Sequence, residues 1–81
     1  MTDEARLKQE LEALDQKRVA IDARLREAEA RQRYVIDADI KETARADERA
    51  ILAEMDRVMT RIRAVEAKLL LARAAERPTT H

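Results

Sequence analysis

Four carboxylates stand close together near the middle of this 81-residue chain: Asp37, Asp39, Glu42 and Asp47. Clustered acidic oxygens are what a hard cation such as calcium requires. Read as a calcium loop opening at Asp37, the spacing fails at once. Lys41 takes the fifth position, and the glycine needed for the sharp turn at the sixth is missing. A transition metal needs converging His, Cys or carboxylate ligands, whereas this chain has no Cys and a single His, His81. With no Gly either, it has no phosphate-cradling loop and no nucleophile elbow. Carboxylates that work as acid and base need a pocket to tune them, and no pocket-forming loop is legible. No metal, cofactor or catalytic residue is therefore expected, and the chain reads as non-enzymatic.

The arginines are the next candidates. Arg45 and Arg49 are four apart, as are Arg57 and Arg61, and like charges at that spacing mildly destabilise a helix unless acids neutralise them. An Arg-bearing face could meet an acidic partner or nucleic acid. Against nucleic acid stand the balance of 17 basic and 17 acidic residues, the interspersed Glu54, Asp56 and Glu66, and a single aromatic residue, Tyr34. A solvated helix face is the expectation, with nucleic-acid association as an alternative.

Ala, Glu, Lys, Leu and Arg dominate the chain, the composition of long helices and coiled coils. High charge with no net excess, combined with regularly spaced aliphatic residues, favours order over disorder. No apolar run is long enough to span a membrane, and the acidic start at Thr2-Asp3-Glu4 does not read as a signal peptide. A cytoplasmic location is expected. The preference for Arg over Lys fits a GC-rich bacterial gene.

Two apolar stripes follow the 4-3 rhythm of a helix seam. The first is Leu7, Leu11, Leu14, Ile21 and Leu25, with Arg18 in the missing step. The second is Ile51, Met55, Val58, Ile62, Val65, Leu69 and Ala72. In heptad letters, Leu11, Arg18 and Leu25 are a positions of the first stripe, and Glu48, Met55, Ile62 and Leu69 those of the second. The phases differ by two residues, neither a three- nor a four-residue discontinuity. One unbroken helix would turn its two seams to nearly opposite sides, about 200° apart. The expected fold is all-α: an antiparallel helical hairpin with helices over about 3–35 and 39–76, and a long continuous coiled coil as the alternative. Residues 1–77 would form one domain and 78–81 a flexible tail behind Pro78.

The reversal fits the segment from Tyr34 to Ile40, where Val35, Ile36 and Ile40 lower helix propensity. Asp39 with Glu42 resembles a capping box, and Asp37 is the alternative cap. Along the first helix, Glu4–Lys8, Asp22–Arg26, Glu27–Arg31 and Glu29–Arg33 have the acid-first spacing that supports a helix. Arg18 is read as a snorkelling or paired charge.

The first helix has a narrow seam, with polar groups at its e and g positions. The second adds Leu52 and Met59 at e, with Leu70 and Leu71 further round. So wide a face calls for more than one neighbour, and a lone hairpin of this size has little core. Dimerisation into a four-helix bundle is expected. Ile51, Leu52, Met55 and Val58 would line the oligomer interface, continuing through Met59, Ile62, Val65 and Leu69. Tyr34, Val35, Ile36, Asp37 and Asp39 form a candidate partner tip, or else they close the end of the bundle. The functional expectation is a helical interaction protein: a homo-oligomeric adaptor, scaffold or regulator binding another protein. A small phage- or plasmid-type inhibitor that occludes a larger machine is the alternative.

Overall fold

The computed structural model describes residues 2–76, as two helices: α1, Asp3–Tyr34, and α2, Ala38–Glu76. Met1 and residues 77–81 lie outside the described residues, and with them the expected tail, Pro78 and His81. The helices fold back on each other into a hairpin 68 Å long and 19 by 15 Å across. A single straight helix of the same residues would run to about 110 Å, so the doubling-back read from the stripe phases is what the chain does.

Each helix end has a physical cause. Thr2 caps α1 by accepting the backbone N–H of Ala5 at its Oγ1, 3.1 Å away. Asp3 and Glu4 occupy the first turn and Arg31 and Arg33 the last, each sign matching the helix dipole. After Tyr34 the chain turns without glycine. Val35 adopts an extended conformation (φ −97°, ψ 136°) while its N–H still donates to the Arg31 carbonyl at 3.3 Å. No described residue has positive φ. The β-branched pair Val35-Ile36 accepts this extended geometry readily, which is why a helix end that often uses Gly does without one here.

The cap of α2 differs from the favoured expectation. Asp37, not Asp39, holds the position: its Oδ1 accepts the N–H groups of Asp39 at 2.9 Å and Ile40 at 3.2 Å. Its carbonyl receives the N–H of Lys41 at 3.0 Å. The helix therefore starts at Ala38, and Asp39 is its second residue. Glu42 lies too far along to reach back to the cap and pairs with Arg45 instead, at 3.6 Å. The three-residue turn Val35-Ile36-Asp37 leaves Asp37 as the last residue before the helix, so its carboxylate is the one in reach.

The core lies between the helices and is thin. Ile21 and Ala28 of α1 are buried against Ile51 of α2, with Leu25, Met55 and Val58 packed around them. Towards the open end Ile62, Val65 and Leu69 are also buried, Val65 completely. Leu7, Leu11 and Leu14 opposite them are only half-buried. Both stripes therefore meet in one interior, as their spacing requires, and each fully buried aliphatic contributes about 1.5–3 kcal/mol. No buried polar side chain among the described residues lacks a partner.

Candidate interaction surfaces

The two long edges of the hairpin differ. One is formed by the g positions of both helices and carries ion pairs that cross between them. Arg24 binds Glu54 at 2.9 Å, and Arg31 binds Asp47 at 3.6 Å. These pairs share one register, in which seven residues up α1 match seven residues down α2. The same register would put Lys17 level with Arg61. Arg61 instead reaches to Glu10, with Nε at 2.8 Å and Nη2 at 2.5 Å from one carboxylate oxygen. The long guanidinium side chain thereby avoids a like charge and finds an acid.

The other edge is formed by the e positions, with the b positions outside them. Here like charges share a groove. Lys8 and Arg73 line it together, as do Glu12, Asp15 and Glu66, above Leu11, Ile62 and Leu69. Glu4 serves both cations, lying 3.3 Å from Lys8 and 3.2 Å from Arg73. Asp15 is neutralised from within its own helix by Arg18, at 2.9 Å. That is the structural place of Arg18: half-buried in the seam, its head turned out to a carboxylate on α1. Further towards the turn, this edge carries the apolar side chains of Leu52 and Met59, and Val19 stands beside it on α1. Leu52 is 46% exposed and Val19 55%, while Met59 is half-buried.

Of the expected oligomer-interface residues, Ile51, Ile62, Val65 and Leu69 are buried within the single chain. Met55, Val58 and Met59 are half-buried, and Leu52 is exposed. The structure thus brings together a core and a separate, partly solvated apolar edge from one stretch of sequence. Val19 escaped the sequence reading because it lies one position outside the seam. Its signal was a lone apolar residue at b on an otherwise charged face. The cross-helix pairs also went unread, although Arg24 and Glu54 both fall at g once the chain is doubled back.

The turn forms the third surface. Tyr34 is 75% exposed and Ile36 95%, with Ile40 also exposed on the first turn of α2. Val35 is half-buried, and Asp39 is exposed. The Arg33 guanidinium lies over the Tyr34 ring, 5.9 Å from its centre. Of the four acid-first pairs expected along α1, Glu4–Lys8, Asp22–Arg26 and Glu27–Arg31 form.

Among the described residues, no group of three or more acidic or histidine side chains is arranged to hold a metal ion. Asp37 spends its carboxylate on the helix cap. On α2, Arg45, Arg61 and Arg73 are each engaged by a carboxylate. No helix among the described residues is long and apolar enough to cross a membrane. No family model matches the sequence, and neither a curated protein nor a solved structure shows significant similarity to it.

Proposed function

We propose that the chain is a non-enzymatic helical interaction protein, a homo-oligomeric adaptor, scaffold or regulator that pairs with a second copy along its flank and offers its turn to another protein. The observation that carries the reading is the exposure of Tyr34, Ile36 and Ile40 at one end of the hairpin. Large apolar side chains on a defined backbone are what a protein partner buries most profitably, and Tyr is enriched where binding energy concentrates. The Asp37 cap fixes the turn between two helices, so little ordering cost remains to oppose binding.

An inhibitor that occludes a larger machine would use the same tip and differs only in the consequence of binding. The nucleic-acid reading has less support. Three arginines of α2 already face carboxylates, which weakens the phosphate contacts on which such affinity rests.

Immobilised wild-type chain and a Tyr34→Ser/Ile36→Ser variant, exposed to lysate of the source cells, test the reading. Both should give the same helical circular dichroism, and a protein retained by the wild type should be lost from the variant. Identical retention by the two would overturn the role of the tip.

A further inference from the structure

The e positions of α2 across its middle are Arg45, Leu52, Met59 and Glu66. Read from the centre outwards, this row is self-complementary. Leu52 and Met59 flank the point between Met55 and Asp56, and Arg45 and Glu66 stand at nearly equal distances beyond, about 16 Å each at the helical rise. All four lie on the edge that no g-position ion pair bridges. Arg45 and Glu66 are exposed; Arg45 holds Glu42 of its own helix only at 3.6 Å, and Glu66 lies in the groove with Glu12, Asp15, Lys8 and Arg73.

We infer that this edge docks a second copy of the same chain in antiparallel orientation, about a two-fold axis near Met55-Asp56 and perpendicular to the hairpin. The inference rests on the self-association proposed above and supplies its face and direction. The axis sets Leu52 against Met59 of the other copy, twice, and extends the exposed apolar strip into a closed layer. It also sets Arg45 against Glu66 of the other copy, again twice. A parallel pair would place Arg45 on Arg45 and Glu66 on Glu66. The neighbouring row, Arg49, Asp56 and Arg63, has the same charges in either direction, so the e row alone selects between them. Like-charge juxtaposition suppresses the wrong arrangement more strongly than rim pairs favour the right one.

Charge exchange with sedimentation equilibrium tests this. Wild type should sediment at twice 9.3 kDa. Arg45→Glu alone and Glu66→Arg alone should each weaken the dimer about ten-fold, two repulsive contacts replacing two attractive ones. An equimolar mixture of the two variants should recover wild-type affinity, because each chain then supplies the charge the other lacks. A Leu52→Asp chain should remain monomeric. A spin label at Ala38→Cys leaves these charges untouched and gives an independent readout, with an inter-label distance of about 50 Å for the antiparallel pair. A dimer that ignores both charge reversals, fails to recover on mixing, or shows a short inter-label distance would overturn this face and direction while leaving self-association standing. A wild-type monomer at high micromolar concentration would overturn both.

Discussion

The two edges of this hairpin are built from the same kinds of residue and end in opposite states. On the g edge, acids and bases alternate across the gap, so Arg24, Arg31 and Arg61 each find a carboxylate on the other helix. On the e edge Arg73 reaches Glu4 on α1, but like charges face one groove, and Leu52 and Val19 are exposed. Composition cannot distinguish these edges; only the register can. The lesson is that one register brings opposite charges together on one edge and like charges on the other, while the aliphatic seam between the edges supplies the cohesion. Exposed pairs of this kind are worth little individually, so the seam and the turn carry the fold and the pairs follow from it.

The largest expected effect comes from attacking the seam that both edges share. Val65 is fully buried, and Val65→Asp would place a carboxylate there with no partner. An uncompensated buried charge costs about 3–5 kcal/mol, comparable to all the stability a core of this size provides. Loss of helical circular dichroism is the expected result, whereas Val19→Asp, on the open edge, should leave the spectrum unchanged. A folded Val65→Asp chain would show that the interior has been misplaced.

Next in size is a difference between the edges themselves. If the e edge is covered by a second copy, thermal stability should rise with protein concentration, by mass action. Leu52→Asp should abolish that dependence, while Arg24→Ala on the g edge should preserve it. Equal dependence in all three proteins would remove the distinction.

Much of the hairpin was legible because helix spacing is local. The seam residues from Leu7 to Leu25 and from Ile51 to Leu69 declare their faces through neighbours three and four positions away, and the two-residue phase shift forces the reversal. The cap was less legible. Asp37 and Asp39 are both good caps, and the choice between them depends on where Val35 and Ile36 leave the helix, which propensity constrains only loosely. The edges were the least legible part. Arg24 and Glu54 are thirty positions apart, and their meeting depends on a register that only the folded turn defines. For the same reason the Arg45–Leu52–Met59–Glu66 row carries meaning only once it is known that, among the described residues, no ion pair from α1 covers it.

A change at the turn should move both edges together. Asp37→Ala removes the acceptor for two backbone N–H groups at the start of α2. The expected loss is about 1 kcal/mol, read from a urea midpoint, with Asp39→Ala costing less than half as much. Because the turn sets the register, that loss should appear without any change in concentration dependence. If Asp39→Ala proved the costlier, Asp39 would be the working cap after all.

The smallest effect is the most direct test of the contrast. A double-mutant cycle on Arg24 and Glu54 should return a favourable coupling of about 0.5 kcal/mol at low salt, shrinking towards zero in molar salt as the screening length falls to a few ångströms. The corresponding change on the other edge, Glu66→Ala in a chain kept monomeric by Leu52→Asp, should change stability by no more than a few tenths of a kcal/mol, because Glu66 is exposed in a groove that holds carboxylates and cations alike. In the self-associating chain the same Glu66→Ala should instead weaken assembly. One substitution would then be near neutral for the fold and adverse for the pair, and that difference separates a residue held by its own hairpin from one held ready for another. A clear loss of stability on Glu66→Ala in the monomeric chain would mean that α1 already satisfies Glu66, leaving the e edge as closed as the g edge and a second copy with nothing to complete.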